Sequence, residues 1–168
     1  MKQVTHRFDN PEVVAFTRSV IRNWKPSGKP VMFVPCSKTK PIQESLTHKH
    51  IFRKFREHCD LLILSEPLTV IPYDRYDYPY YDYPPAALRK LPGEFELFRR
   101  RLTWFLRKNQ LNRGVCYFML PQHHHLILWH SWIDAFGDID NLEGYGYTHA
   151  TRWFFAQKMG QHLGIAEL

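Results

Sequence analysis

The N-terminal part of the chain carries apolar residues at the spacing of an amphipathic helix. Asn10 supplies an N-cap, and Pro11 suits the first helical position. The apolar residues that follow recur at helical intervals: Val13, Phe16, Val20 and Trp24. We therefore expect a helix from Pro11 to Trp24, ended by the segment rich in proline and glycine that follows it.

Two short continuous apolar runs come next, and such runs are typical of strands buried on both faces. The first is Val31–Val34 and the second is Leu61–Leu64. Between them, Thr47 is a candidate N-cap for a helix whose apolar positions face the core: Ile51, Phe55 and Cys59. Together these segments predict a strand, a helix and a second strand in one βαβ unit.

A proline-rich segment interrupts the regular spacing of apolar residues, which resumes in the second half of the chain. Proline cannot donate a backbone hydrogen bond, so the proline-rich segment Pro67–Pro92 is predicted to be a long ordered loop. A helix follows, with apolar positions at Phe95, Phe98, Leu102 and Phe105. Val115–Leu120 predicts a third strand, Leu126–Trp129 a fourth, and Thr148–Gly164 a final helix.

Strands that alternate with helices indicate an α/β fold, with a mostly parallel central sheet flanked by helices in three layers. A length of 168 residues and a hydrophobic content of 44% suit one domain, which we assign to residues 1–168. In such sheets ligands bind outside the carboxyl ends of the strands. We therefore expect catalytic or binding residues after Val34 and after Leu64, where the two predicted strands end.

Charge and composition narrow the class of protein. A net charge of +7 with 15% aromatic residues suits contact with phosphate backbones and bases, although a soluble protein with a modest charge bias fits equally well. No segment reaches the roughly 18 apolar residues of a membrane span, and the first residues lack an apolar signal region, so we expect a cytoplasmic protein without a membrane partner. Cys36, Cys59 and Cys116 form no CxxC pair, so neither a disulfide nor a zinc knuckle is expected.

The densest polar chemistry follows the first predicted strand, between Pro35 and His48. This segment holds a thiol, several hydroxyls, two lysines and an imidazole. Six of its positions match a motif of the archaeosine synthase core domain, a family related to tRNA-guanine transglycosylases: Pro35, Cys36, Lys40, Pro41, Ser45 and His48. The chain therefore resembles that family, with Ile42 where the family has tyrosine.

Two further segments support the resemblance, because they follow the motif in the same order as in the family. Pro67–Pro72 is similar to a Pro-Leu-Gly-Val-Val-Pro segment of the family, with Thr69 in place of the glycine and Glu66 in place of a serine. Tyr81–Pro84 is similar to its Tyr-Asp-hydrophobic-Pro segment. The likeness covers about residues 10 to 120, and it implies a fold like that of uracil-DNA glycosylases.

The resemblance implies a tRNA-modifying transferase. In that reaction the amine of free lysine adds to the nitrile of 7-cyano-7-deazaguanine in tRNA, on the route to archaeosine, without a cofactor in this domain. The implied partners are tRNA or another deazaguanine-containing nucleic acid, free lysine, and a separate RNA-binding or radical-enzyme subunit, because 168 residues leave no room for the flanking domains of the family. The competing hypothesis is a non-catalytic module that binds a modified base; an active glycosylase rests on fold analogy alone.

Three residues of the motif are candidates for catalysis. Cys36 lies near lysines and a predicted helix N-terminus, which favour a nucleophilic thiolate, but a cysteine at a strand end is often a small buried apolar residue. His48 is a candidate base, and Lys40 is a candidate group to stabilise charge on the nitrile nitrogen. His48 could equally be a solvated residue of the first helical turn.

Four further residues are candidates for substrate binding: Ser37, Ser45, Tyr81 and Asp82. Asp82 lies among tyrosines, and a carboxylate between rings suits a guanine-like edge, although a tyrosine-rich loop packed on the sheet fits as well. Ser45 could instead cap the following helix.

The histidines after the third predicted strand, His123, His124, His125 and His130, lack a recognisable ligand spacing or a partner carboxylate. We expect an ordinary loop there and no metal site.

Overall fold

A five-stranded sheet forms the centre of the protein, with strand order β3-β2-β1-β4-β5. The computed structural model describes residues 8–81, 83 and 92–146, and all structural statements refer to these residues. In chain order the elements are α1 (Pro11–Asn23), β1 (Val31–Val34), α2 (Leu46–Phe55), β2 (Asp60–Ser65), β3 (Thr69–Pro72), α3 (Glu94–Asn109), β4 (Cys116–Leu120), α4 (Gln122–Phe136) and β5 (Leu142–Gly146).

The sheet is mostly parallel, as the alternation of strands and helices predicts. β1 pairs in parallel with both β2 and β4, and β4 pairs in parallel with β5. Only β3 runs antiparallel, along the outer side of β2. The α/β class with a central sheet between helices is therefore confirmed.

The strand order places a topological switch point between β1 and β4. The chain leaves β1 toward β2 but leaves β4 toward β5, in the opposite direction along the sheet. Right-handed crossovers then put α2 and α4 on opposite faces of the sheet. The crevice that opens between two such connections, at the carboxyl ends of the strands, is where ligands bind in doubly wound sheets.

Local sequence accounts for the first helix. The side chain of Asn10 accepts a hydrogen bond of 3.0 Å from the backbone N–H of Glu12, and Pro11 occupies the first turn. The apolar face of α1 is buried through Val13, Phe16 and Val20. The helix ends at Asn23, so the predicted helix is confirmed to within one residue.

The core is built from the central strands, which are buried on both faces. All four residues of β1 and all five of β4 are buried, and Phe33 is fully inaccessible. Phe33 is in register with Leu62 on β2 and with Phe118 on β4. Full burial of such side chains stabilises the fold by about 1.5 to 3 kcal/mol each and makes these strands a rigid support for the loops at their ends.

The predicted fourth strand at Leu126–Trp129 is wrong, because these residues lie in the middle of α4. A short apolar run does not by itself distinguish a strand from a helix. In the structure Ile127 and Leu128 are buried whereas Leu126 and Trp129 are partly exposed, which is the pattern of one helical face. The loop predicted for the adjacent histidines is also wrong, because these histidines lie in the same helix.

The predicted loop Pro67–Pro92 contains the short strand β3, which the proline content concealed. Pro72 is tolerated because β3 lies at the edge of the sheet, where one side of the strand has no neighbour. The helix predicted at Thr148–Gly164 lies outside the described residues. Among the helices that are described, none combines the length and apolar character needed to cross a membrane.

Candidate functional site

The motif segment forms the connection from β1 to α2, at the carboxyl edge of the sheet. It runs from Pro35 through a 3-10 turn at Ile42–Glu44 into the helix. Ser45 caps α2, because its hydroxyl accepts a hydrogen bond of 3.2 Å from the backbone N–H of His48. Thr47 lies within the helix and is not its cap, so that prediction is wrong. Ser45 has the capping role that was its alternative to substrate contact.

Cys36 is the first polar residue after β1, and three groups surround its thiol. One is the carbonyl of Ser37, to which the thiol donates at 3.7 Å. Sγ lies 3.1 Å from Oγ of Ser65, the last residue of β2. The ammonium of Lys40 lies 3.7 Å from Sγ and donates a hydrogen bond of 2.7 Å to the carbonyl of Ser37. The side chain of Ser37 accepts a hydrogen bond from the backbone N–H of Thr39. The structure therefore brings Cys36 and Lys40 together, with Ser65 as a third member.

Accessibility distinguishes Cys36 from the other two cysteines. Cys36 is half-buried, whereas Cys59 and Cys116 are buried in the core. Burial raises the pKa of Cys59 to about 12 and raises that of Cys116 well above its ordinary value. Cys59 and Cys116 are therefore inert core thiols, and Cys36 is the thiol that a ligand can reach.

His48 has both ring nitrogens occupied. Nε2 lies 2.7 Å from the carbonyl oxygen of Pro35, which can only accept, so Nε2 carries the proton. Nδ1 then accepts a hydrogen bond from the hydroxyl of Tyr73. The imidazole is 1% exposed, and burial is the main reason that its pKa is lowered to about 4. This geometry argues against the proposed general base and makes His48 a residue that positions the motif segment.

Tyr81 does not join the Cys36 cluster. The hydroxyl of Tyr81 donates to Asn10 and Glu12 at the start of α1, at 3.1 and 3.3 Å. Tyr81 is buried, and this burial, followed by the neighbouring Glu12 carboxylate, raises its pKa to about 12. Tyr81 therefore anchors the loop to α1. Asp82 lies outside the described residues.

A carboxylate and two imidazoles meet beside the cluster. Glu66 follows β2, and Oε1 of its carboxylate lies 2.8 Å from Nε2 of His124 and 3.8 Å from Nε2 of His123. Burial would raise the pKa of Glu66, but the charges of both imidazoles and the hydrogen bond from His124 outweigh it and lower the pKa below its usual value. These three residues are the group in the described structure that could hold a metal ion.

Sequence reasoning missed Ser65, Glu66 and the partnership of Glu66 with His124. Ser65 is the last residue of β2, the strand next to β1, and Glu66 follows it. The rule that ligands bind at the carboxyl ends of parallel strands could therefore have indicated both residues. His124 belongs to the first turn of α4, directly after β4. Its contact with a residue 58 positions earlier follows from the strand order and from no local pattern.

Ile42 and Thr69 depart from the motif that the chain resembles, and the structure accounts for Ile42 but not for Thr69. Ile42 is fully buried, and its backbone N–H donates a hydrogen bond of 2.7 Å to the hydroxyl of Tyr78. A tyrosine hydroxyl therefore lies beside this position although the residue itself is apolar. Thr69 has φ of 71°, a left-handed conformation that favours the glycine of the family.

The arginines of α3 are largely committed to contacts within the protein. Arg99 pairs with Asp134 on α4, and Arg101 donates a hydrogen bond of 2.7 Å to the carbonyl of Phe8. Arg100 is exposed. The three consecutive arginines therefore point in different directions and do not form one phosphate-binding row.

One cleft in the described part of the chain lies away from the motif. It has a volume of about 750 Å³ and is lined by Asp60, at the start of β2, and by Pro72, at the end of the antiparallel β3. These ends lie at the amino edge of the parallel sheet, opposite Cys36. The lining of the cleft includes Lys25 and the buried Cys59 but none of the motif residues Cys36, Lys40 and His48.

Comparison with known proteins defines the family of the chain. The crystal structure of AF0587, a protein of unknown function, has a similar fold with a TM-score of 0.61 and 16% identity, over 90% of this chain and 50% of that chain. The chain thus spans about half the length of that protein, and the low identity makes this a likeness of fold. No curated protein matches significantly. The model of the family described as a domain of unknown function, DUF5591, matches residues 13–129, which is more than half of the sequence, so the chain belongs to the DUF5591 family.

Proposed function

We propose that this protein is a tRNA-modifying transferase resembling the archaeosine synthase core domain. Its substrate is a 7-cyano-7-deazaguanine base in tRNA, and it adds the amine of lysine to the nitrile. The observation that carries the proposal is the cluster of Cys36, Lys40 and Ser65 at the carboxyl end of β1. The segment that carries the family motif supplies two of these three side chains.

The location of the cluster supports base binding. Cys36 directly follows β1, beside the switch point with β4, where doubly wound sheets bind ligands. Enzymes that act on a base take it out of the stack and hold it in a pocket. The net charge of +7 favours approach to the phosphate backbone on which such a base is carried.

The proposed reaction needs no leaving group. The ammonium of the free lysine substrate first releases a proton to water, and its nitrogen then bonds to the nitrile carbon while one π bond of the nitrile breaks. One further proton passes from the amine nitrogen to the former nitrile nitrogen, which gives an amidine. The enzyme must hold the amine close to the carbon and stabilise negative charge on the nitrogen.

Two residues of the cluster suit this chemistry, one by stabilising charge and one by covalent addition. The ammonium of Lys40 is fixed by the carbonyl of Ser37 and can stabilise the charge that develops on the nitrile nitrogen. The thiol of Cys36 can add first to the nitrile carbon, with its proton passing to the nitrogen, to form a thioimidate. The amine then displaces the thiol, and the S–H bond is restored.

The proposal is tested by incubating the protein with lysine and tRNA that carries the cyano-deazaguanine base, followed by mass spectrometry. We expect a nucleoside heavier by one lysine. Absence of the adduct with retained tRNA binding would reject the transferase and favour the non-catalytic module. Loss of both would reject the tRNA substrate.

Substitutions assign the roles of the two side chains. Lys40→Ala should lower the rate by about 10²-fold or more, as removal of one charge-stabilising group does in other enzymes. Lys49→Ala is the matched control, because Lys49 lies on α2 with 56% of its side chain exposed and pairs with Glu44. Unchanged turnover in folded Cys36→Ala and Cys36→Ser variants would exclude the thioimidate and leave Cys36 a packing role.

A further inference from the structure

We propose that Glu66, His123 and His124 form a binding site for a divalent first-row transition metal ion, with Zn²⁺ as its natural representative. The inference is independent of the proposed transferase. It rests on the arrangement of these three side chains across the carboxyl edge of the sheet. Each offers one ligand atom, and all three atoms lie within 4.8 Å of one another.

The sheet order brings these residues together from distant parts of the sequence. β1 lies between β2 and β4, so the contact from Glu66, after β2, to His124, after β4, spans the end of β1. Cys36 leaves the sheet at this same end and reaches Ser65, the neighbour of Glu66. A metal ion bound here would therefore lie at the same edge as the Cys36 cluster.

The distances suit coordination by one shared ion. Metal–nitrogen and metal–oxygen bonds of about 2.0 to 2.1 Å in a tetrahedron place neighbouring ligand atoms about 3.3 Å apart. The two separations from Oε1 of Glu66, 2.8 and 3.8 Å, lie on either side of this value. The ligand nitrogens of the two imidazoles lie within 4.8 Å of each other. Modest side-chain movements would bring all three atoms to coordination distance of one ion. Binding would replace the proton that His124 shares with Glu66.

Burial of the carboxylate points to a cationic partner. The side chain of Glu66 is 8% exposed and that of His124 is 2% exposed. A buried carboxylate is costly unless a positive charge or a metal ion compensates it. The side chain of His123 is 43% exposed, so the group opens to solvent on one side. Three protein ligands with one open side are typical of metal sites that exchange a water or a substrate atom.

His124 and His48 have very different hydrogen bonding, although both are buried imidazoles. Both nitrogens of His48 have partners, as expected of a histidine that serves the fold. Nδ1 of His124 is buried without a hydrogen-bond partner in the described part of the chain. Nε2, the atom that would ligate the ion, is therefore the ring nitrogen of His124 that has a polar partner in the described structure.

The ligand types select the class of metal. Two imidazoles and one carboxylate suit Zn²⁺ and its neighbours in the first transition row, whereas Ca²⁺ and Mg²⁺ prefer oxygen ligands alone.

The experiment titrates chelator-treated full-length protein with ZnCl₂ by calorimetry, and with CoCl₂ by visible absorption. We expect one equivalent bound, with the intense Co²⁺ bands of a four-coordinate ion. Glu66→Gln should weaken Zn²⁺ binding by about 10²-fold or more, since even residues that only support a ligand contribute 10- to 100-fold. His123→Asn should have a similar effect.

His130→Asn is the matched control, because His130 is an exposed histidine on the same helix. The control should keep the affinity and the Co²⁺ spectrum of the parent protein. Zn²⁺ should also raise the melting temperature of the parent and the control but not of the two site variants.

Two results would overturn the proposal. One is the absence of binding to the parent protein at millimolar Zn²⁺. The other is binding that Glu66→Gln and His123→Asn leave unchanged, which would assign the ion to scattered surface histidines. If Glu66→Gln does not fold, the exposed His123→Asn decides alone. The lysine-transfer assay is a separate readout, so a failed metal site and a failed transferase are distinguishable.

Discussion

Protonation of His48 should destabilise the protein in mildly acidic solution. The buried ring donates from Nε2 to Pro35 and accepts at Nδ1 from Tyr73. The hydroxyl of Tyr73 stays protonated, because burial raises its pKa. It could therefore accept from a protonated Nδ1 and donate to the backbone carbonyl of His48, which lies 3.1 Å away. A second proton on the ring is costly because it places a charge in the core. Burial, only partly offset by the Pro35 carbonyl and reinforced by the charge of Lys40, accordingly lowers the pKa of His48 to about 4.

The sign and size of the effect follow from this pKa. The unfolded chain binds the proton at the ordinary histidine pKa of about 6.5, and the folded chain binds it only near 4. Between these values the unfolded state holds more protons, so stability falls as the pH falls. The difference in pKa corresponds to about 3 kcal/mol in full, and to about 2 kcal/mol between pH 7.5 and pH 5.

Urea denaturation of the parent protein and of His48→Gln at a series of pH values measures the effect. The glutamine amide can still donate to the Pro35 carbonyl but does not titrate. The free energy of unfolding of the parent should therefore fall by about 2 kcal/mol more than that of the variant between pH 7.5 and pH 5. Equal losses of unfolding free energy in the parent and in the variant over this pH range would refute the reasoning. If the variant does not fold, an NMR titration that places the pKa of His48 near 6.5 would refute it equally.

Three further predictions concern stability, each measured by urea denaturation at neutral pH. Thr69→Gly should stabilise the protein by about 1 kcal/mol, because it removes a β-branched residue from a positive φ and a buried hydroxyl without a partner in the described structure; a loss of stability would contradict this. Gly144→Ala should destabilise by about 1 to 3 kcal/mol, because its Cβ would overlap the ring of Phe118. An unchanged stability would show that the ring moves aside freely. Asp134→Asn should cost less than about 1 kcal/mol, because its ion pair with Arg99 is over a third exposed. A larger loss would mean that the pair holds α3 against α4.

Much of the fold could be predicted because its determinants are local. The cap at Asn10 and the apolar spacing after it define α1, and the runs Val31–Val34 and Leu61–Leu64 define the two central strands. The prediction failed where one sequence pattern is compatible with two kinds of secondary structure. The apolar run Leu126–Trp129 suits a strand or a helix, and only its packing against α3 makes it helical.

The candidate site was predicted only in part, because local sequence patterns do not show which distant residues meet. The motif segment is contiguous, so the sequence alone identified Cys36 and Lys40 as neighbours. It could not tell that His48 turns inward, because that depends on Tyr73, which is 25 positions away. Nor could it assign Tyr81, whose hydroxyl reaches α1 from 71 positions along the chain.

The sequence by itself determined the α/β class, the identity of the central strands and the segment that carries the chemistry. These follow from periodicity, capping and composition, which act over a few residues. The tertiary structure alone decided which groups meet at the carboxyl edge. Ser65 reaches Cys36, and Glu66 reaches His124, because β2 and β4 both flank β1. Strand order is set by long-range packing of the whole core, and no local pattern encodes it.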